Sequence, residues 1–194
     1  MTFEFHTILG ALSVVIGIVS FLPYFRDIYR GTTKPHPFSW LIWGILDTTV
    51  FAAQIAKGAG AGSWATAVTL LFTFIIAGVS FKSGEKRITR VDWLCLFGGF
   101  SGIALWSLTD DPLLAVIVVT VTNSLAMIPT IRKSFTRPHE ETLSMYALAV
   151  AKWVPSVLAM ESWSAANWLF PVSLIFWNSA MVAILVHRRS SLAR

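Results

Sequence analysis

Residues 7–25 read TILGALSVVIGIVSFLPYF, a run of 19 residues without a charged side chain. A helix needs about 20 mostly apolar residues to cross a bilayer, because the hydrocarbon core is about 30 Å thick. Six further stretches are comparably apolar, and short connections separate all seven. The sequence therefore predicts an all-α integral membrane protein with seven transmembrane helices. They cover residues 7–25, 38–56, 63–81, 91–108, 112–131, 143–160 and 166–187.

The composition agrees with this class and excludes several others. Hydrophobic residues make up 55% of the 194 residues and charged residues 13%, whereas a soluble domain carries about 25% charged residues. The net charge of +5 resides in short connections rather than on one face, so we expect no nucleic-acid partner. The single cysteine, Cys95, excludes an internal disulfide and a thiolate metal cluster. No basic leader precedes the first apolar run, so we expect no cleavable signal.

Lysine and arginine in the connections predict the orientation, because cytoplasmic loops carry an excess of them. Thirteen basic residues fall on one side and only Lys57 on the other, with Lys152 inside a helix. We expect the N-terminus outside and the C-terminus in the cytoplasm, in a plasma membrane of bacterial type. The thirteen residues are Arg26, Arg30, Lys34, Lys82, Lys86, Arg87, Arg90, Arg132, Lys133, Arg137, Arg188, Arg189 and Arg194.

The chain repeats its own pattern at an offset of 103 to 106 residues. Residues 23–29 read PYFRDIY and residues 129–135 read PTIRKSF, and a Pro-His pair follows each, at 35–36 and 138–139. Helices 1–3 thus correspond to helices 5–7, with helix 4 left over. The predicted units are a first triple-helix bundle at 1–82, a linker with helix 4 at 83–110, and a second bundle at 111–194. An odd linker helix makes the bundles parallel, with a substrate site between them near the midplane.

This 3+1+3 arrangement, with Pro23 and Pro129 near the end of the first helix of each triplet, resembles the SWEET and PQ-loop superfamily of membrane transporters. The resemblance covers essentially the whole chain in topology, and in motif the regions of helices 1–2 and 5–6. The Gln that follows Pro in that family is replaced by Tyr24 and Thr130. The resemblance implies passive or proton-coupled movement of small solutes by alternating access.

Two ionisable residues, Asp47 and Lys152, lie near the middle of predicted helices 2 and 6. Each follows a serine by eight residues, Ser39 or Ser144, so they occupy equivalent positions in the two repeats. A charge at the bilayer centre costs at least about 2.5–3.5 kcal/mol, so such residues face the protein interior and find partners. We expect each to be the partner of the other. The pair is interpreted as a substrate-binding polar centre or as a static lock between the bundles. An unpartnered Asp47 would carry protons instead.

Amide and aromatic side chains extend this candidate substrate-binding site. Asn123 and Asn178 suit either hydroxyl or amide groups of a substrate or hydrogen bonds between helices. The resemblance implies that an Asn from the third helix of a triplet binds sugar, and Asn178 on helix 7 corresponds to that Asn. The equivalent position in the first triplet is Phe74, and Thr73 lies beside it. Trp43 shares a helix face with Asp47 and so predicts an aromatic cavity wall.

Two more tryptophans near this region have different expected roles. Trp177 is expected to add to the same cavity wall. Trp40 lies closer to the interface, where tryptophan is common as an anchor.

Prolines near helix ends are the candidate hinges. Pro23, Pro129 and Pro155 each remove a backbone hydrogen bond, which suits either a gating hinge or a simple helix stop. The functional prediction is a transporter of a small polar solute, with sugar favoured by the resemblance. Alternatives are proton-coupled transport of amino acids or of vitamin- or nucleoside-type solutes, and a non-transporting receptor like the ER retention receptors of similar fold.

The remaining expectations concern partners and chemistry. We expect no metal site, because the histidines lack a second ligand at metal spacing. We also expect no enzyme and no cofactor, because no nucleophile–base arrangement or phosphate-binding loop is evident. The partners are a small-molecule substrate and the lipid bilayer. Protons and self-association into a homo-oligomer are left open.

Overall fold

A computed structural model describes residues 2–31, 35–83, 88, 90–136, 138–141 and 143–192. Within these ranges the chain is all-helical, without β-strands, and forms seven α-helices with two short 3-10 turns, at Gly60–Ser63 and Pro138–Glu140. The helices are α1 (Thr2–Tyr29), α2 (Pro37–Ala56), α3 (Trp64–Ser83), α4 (Arg90–Thr109), α5 (Pro112–Thr136), α6 (Leu143–Leu158) and α7 (Ala165–Leu192). Five basic residues used for the orientation lie outside the described residues: Lys34, Lys86, Arg87, Arg137 and Arg194.

Five of the helical segments are long and apolar enough to cross a membrane: Glu4–Tyr29, Pro37–Ala56, Gly60–Lys82, Pro112–Thr136 and Ala165–Leu192. The apolar segments of α4 and α6 are shorter, at Trp93–Thr109 and Leu143–Leu158. The 16 residues of α6 are about 24 Å long at 1.5 Å per residue. The architecture is thus compatible with an integral membrane protein, with five candidate spans by length and composition where the sequence predicts seven.

The helix boundaries follow from local chemistry. α2 begins with Pro37 at its first turn, where the missing N–H costs nothing. His36 precedes it and its Nδ1 accepts a hydrogen bond from the Ser39 N–H at 3.2 Å. After α2, Gly58 and Gly60 have φ values of +66° and +57°. Glycine adopts these conformations without steric cost, so the chain reverses into α3 within a few residues.

The glycines of α4 do not break the helix, although helix propensity alone disfavours them. Gly98 lies where a Cβ would overlap Thr122 Oγ1 on α5, and Gly102 lies against the Ala115 backbone of the same helix. Gly99 faces Leu46 of α2. The glycines thus allow close contact between α4 and its neighbours.

The neighbours of each helix define how the chain packs. α3 contacts both α1 and α2, and α7 contacts both α5 and α6. α1 contacts α6 and α2 contacts α5, which joins the two halves of the chain, while α4 contacts α5 and α2. One apolar core combines residues of α2, α5 and α7, among them Leu46, Val116 and Phe170. A second core, around Trp40 and Ile76, combines α1, α2 and α3.

The candidate hinge prolines lie inside helices rather than at their ends. α1 continues beyond Pro23 to Tyr29, and Pro155 lies three residues before the end of α6. Residue 129 lies within α5. Pro171, inside α7, is a further helical proline for which the sequence predicted no role. The hinge function stays a prediction, and so do the three domain ranges.

Candidate functional site

Asp47 is buried, with 7% of its surface exposed, at the contact between α2 and α3. One turn earlier, Gly44 has no room for a Cβ, which would lie 2.7 Å from Phe74 on α3. This close approach brings the Asp47 carboxylate to Thr73, whose Oγ1 lies 3.2 Å from Asp47 Oδ2. Asp47 and Thr73, both predicted site residues, are therefore in direct contact.

Lys152 is buried as deeply, at 5% exposed, and extends from α6 to helices of the first half of the chain. Its stem packs on α1 at Gly17, where a Cβ would lie only 3.2 Å from Lys152 Cδ. Its Nζ donates a hydrogen bond to Thr69 Oγ1 on α3 at 2.9 Å. The ammonium also lies 4.3 Å from the centre of the Trp153 ring and 5.7 Å from that of Phe21. Such positions over aromatic faces stabilise a buried cation.

The expected direct pairing of Asp47 with Lys152 does not occur. Within the described part of the chain, the salt bridge shorter than 4.0 Å is between Arg26 and Asp27. The two buried charges interact electrostatically, but each makes its hydrogen bond to a threonine of α3. The reason is the position of α3, which contacts both α2 and α6, so that its threonines lie within hydrogen-bond distance of the two charged groups.

Thr69 and Thr73, which bond Lys152 and Asp47 respectively, are four residues apart and lie on one face of α3. The Thr73 hydroxyl lies 2.8 Å from the Thr69 backbone oxygen, and the Thr69 hydroxyl donates to the Ala65 backbone oxygen at 2.6 Å. We call the set Asp47, Thr73, Thr69 and Lys152 the polar relay. Sequence reasoning missed Thr69, although its i, i+4 spacing to Thr73 could have indicated it.

Trp177 and the two asparagines make other contacts. The Trp177 Nε1–H donates to Ser124 Oγ on α5 at 2.9 Å. The Asn178 amide donates to the Leu174 backbone oxygen of its own helix at 2.7 Å. Asn123 is 8% exposed, and its Nδ2 has no hydrogen-bond partner among the described residues. None of these three has a hydrogen bond to the polar relay among the described contacts, so their substrate role stays a prediction.

Trp43 is more exposed than an inward-facing position predicts, at 41%. Its ring packs edge-to-face on buried Trp40, with centroids 5.1 Å apart, and Trp40 in turn packs on Tyr24 of α1. The two rings therefore form an aromatic cluster one to two turns from Asp47.

An open groove of about 640 Å³ lies between α6 and α7. Its lining is mostly apolar, with Val150, Val182 and His187 among its residues, and it includes none of the predicted site residues. The described residues contain no group of three His, Cys, Asp or Glu side chains that could hold a metal ion.

Comparisons with protein-family models, with curated proteins and with solved structures found no match to this chain. The resemblance to the SWEET and PQ-loop superfamily therefore stays a prediction made from the sequence.

Proposed function

We propose that this protein is a membrane transporter that moves a small polar solute by alternating access, with the polar relay as its central binding site. The observation that carries the proposal is the burial of Asp47 on α2 and of Lys152 on α6, each hydrogen-bonded to a threonine of α3, Thr73 or Thr69. Charged groups within a bilayer are costly, and their usual role is to bind or conduct a solute or ion. A purely structural core would be as stable, or more so, with apolar residues there.

The proposed architecture has seven membrane spans, arranged as two parallel triple-helix bundles with α4 as linker. Three contacts support it: α3 with α1 and α2, α7 with α5 and α6, and Lys152 with the first half. The start of α7 contacts the end of α2 through Asn167 and the Lys57 backbone oxygen, and α6 contacts the loop before α3 through Ser156 and the Gly62 backbone oxygen. The α2–α3 and α6–α7 connections therefore lie at the same end of the molecule, as parallel bundles require. Loop charges support an outside N-terminus and a cytoplasmic C-terminus.

Two solute classes follow from different observations. The resemblance to the SWEET family implies a sugar. The two opposite charges, each held by a threonine instead of by the other charge, favour a zwitterion such as an amino acid. A solute with both charges would supply a counter-charge to each buried group, whereas a sugar supplies only hydrogen bonds.

Uptake into proteoliposomes tests the proposal. Purified protein is reconstituted and preloaded with one member of a panel of sugars, amino acids and nucleosides, and counterflow of the labelled solute is measured. We expect accumulation of at least one member above that of protein-free liposomes. Solute binding in a thermal-shift assay without any counterflow would favour a receptor instead.

A proton-coupled form of the transporter is the second candidate, and the geometry of Thr73 favours it. A hydroxyl has one proton to donate, and the nearer acceptor of Thr73 is the Thr69 backbone oxygen. When Thr73 donates its proton to the Thr69 backbone oxygen, its hydrogen bond with Asp47 requires a protonated carboxyl group that donates to Thr73 Oγ1. The same position of the two side chains therefore suits a neutral and an ionised Asp47.

A further inference from the structure

Two connecting segments, one from each half of the chain, meet at one end of the molecule. They are residues 57–63, between α2 and α3, and residues 159–164, between α6 and α7, and we call their contact the loop clasp. The Glu161 N–H donates to the Ala59 backbone oxygen at 3.2 Å, and the Ala61 N–H donates to Glu161 Oε1 at 3.3 Å. The Ser156 hydroxyl donates to the Gly62 backbone oxygen at 2.9 Å. The backbone of one half is thus bonded directly to the other.

Two buried amide side chains extend the loop clasp between α2 and α7. The Asn167 Nδ2 donates to the backbone oxygens of Lys57 and Ser162, at 3.1 and 2.8 Å. The Gln54 Nε2 donates to the Asn167 backbone oxygen at 3.1 Å. Both amides are completely buried. They therefore close the space beneath the loops as well as joining the two halves.

Glycines allow the two segments to approach this closely. A Cβ on Gly62 would lie 2.5 Å from Met160 Cγ and 2.8 Å from Met160 Cα. A Cβ on Gly60, whose φ is +57°, would overlap the Glu161 carboxylate. Ala59, Ala61 and Met160 are also buried, so the two segments pack closely against each other.

We infer that the loop clasp is a gate, closed in this structure, on the side of the protein where Lys57 lies. The inference rests on the proposed function, because a site between two halves is reached from that side only when the halves separate there. The clasp consists of separate hydrogen bonds, in which backbone groups pair with one another, with the Glu161 carboxylate, with the Ser156 hydroxyl or with an amide side chain. Each is individually weak, so the contact can open without disrupting the helices.

Thr66 provides a reporter behind the clasp. It lies on α3, one turn from Thr69 on the side of the 57–63 loop, and is completely buried. Its hydroxyl has no hydrogen-bond partner among the described residues, so Thr66→Cys removes no described bond. In a Cys95→Ser background, the Thr66→Cys thiol reacts with a membrane-impermeant reagent only after the clasp opens.

The experiment compares Glu161→Ala with Glu161→Gln in that background, in intact cells, with Lys57→Cys as a marker of the labelled side. Glu161→Ala removes the acceptor of the Ala61 N–H, whereas Glu161→Gln keeps an oxygen there. We expect Glu161→Ala to speed labelling of the Thr66→Cys thiol by about tenfold, the effect of one lost hydrogen bond. Glu161→Gln should label at the parental rate.

Equal labelling in both Glu161 variants would overturn the gate. Glu161 is exposed, so Glu161→Ala is expected to fold, and size-exclusion chromatography checks this. Asn167→Ala, which removes two further bonds of the clasp, is a second opening variant and should also speed labelling. The readout needs no transported solute. Faster labelling without any counterflow would therefore keep the gate and reject the transporter.

Discussion

At the scale of single residues, the hydroxyl groups of Thr69 and Thr73 determine how two buried charges are held. The Thr69 hydroxyl accepts a hydrogen bond from Lys152 and donates its own proton to the Ala65 backbone oxygen, so both contacts form at the same time. Thr73 lies between Asp47 and a backbone oxygen. The Thr73 hydroxyl can therefore donate its proton to an ionised Asp47 or to the Thr69 backbone oxygen when Asp47 is neutral. We expect substitution of Thr73 to affect the relay directly for this reason.

Replacing Thr73 with valine tests this role, because valine keeps the shape and removes the hydroxyl. We expect Thr73→Val to lower the free energy of unfolding by about 1–3 kcal/mol, the cost of leaving a buried polar partner unsatisfied. Thr73→Ser should retain most of the stability. Thermal unfolding in detergent measures both. Thr48→Val, on the exposed side of α2, is the control, and a Thr73→Val midpoint no lower than that of the control would contradict the expected role.

If the protein is the proton-coupled form of the transporter, protonation of Asp47 leads to a second prediction. Protons bound at Asp47 would be carried with the solute, so uptake should rise when the outside is made more acidic than the inside. Asp47→Asn cannot exchange a proton, so the residual uptake of this variant should not respond to the gradient. Initial rates with and without a pH gradient measure this. A gradient response that survives in Asp47→Asn would remove Asp47 from the coupling.

Part of the site follows from the sequence and part does not. Asp47 and Lys152 stand out because charges in apolar helices are rare, and Thr73 could be inferred from the repeat. Their indirect connection could not be predicted, because it depends on α3 contacting both α2 and α6. Trp43 shares a helix face with Asp47, but sharing a face does not make the two equally buried: Trp43 is 41% exposed and Asp47 only 7%.

At the scale of helices, the contact between α4 and α5 depends on glycine. Gly98→Ala adds a methyl group that would overlap Thr122 Oγ1 and should destabilise the protein by about 1–3 kcal/mol through overpacking. Gly78→Ala on α3 is the matched control, because no atom lies within 4 Å of the added group. That variant should be neutral or more stable by up to about 1 kcal/mol, since alanine favours helix. Equal thermal midpoints for the two variants would contradict this packing.

The existence of the helices was predictable, whereas their lengths were less so. Long apolar runs define α1, α3, α5 and α7 in sequence. The predicted sixth helix extended to residue 160, but α6 ends at Leu158, and Ala159 and Met160 belong to the loop clasp. A helix end that is set by contact with a distant loop leaves little signal in the local sequence.

At the scale of the whole molecule, the number of spans determines the side of the membrane on which Asp110 lies. If all seven helices cross the membrane, Asp110 lies outside; if only the five long segments cross, it lies inside. In a Cys95→Ser background, Asp110→Cys should therefore react with an impermeant thiol reagent added to intact cells. Ser190→Cys, near the end of α7, should react only after permeabilisation. The reverse accessibility of Asp110→Cys would contradict seven spans.

The central claim is that Asp47 and Lys152 contact the transported solute from two halves of the protein. It is tested most directly by counterflow of the solute found in the panel, measured for Asp47→Asn and Lys152→Met beside Asp110→Asn and Lys82→Met, two exposed positions. The account predicts that both relay variants fold but lose at least about 90% of the uptake, the effect of one lost charged hydrogen bond, while both exposed controls transport normally. Unchanged uptake in the two relay variants would contradict it.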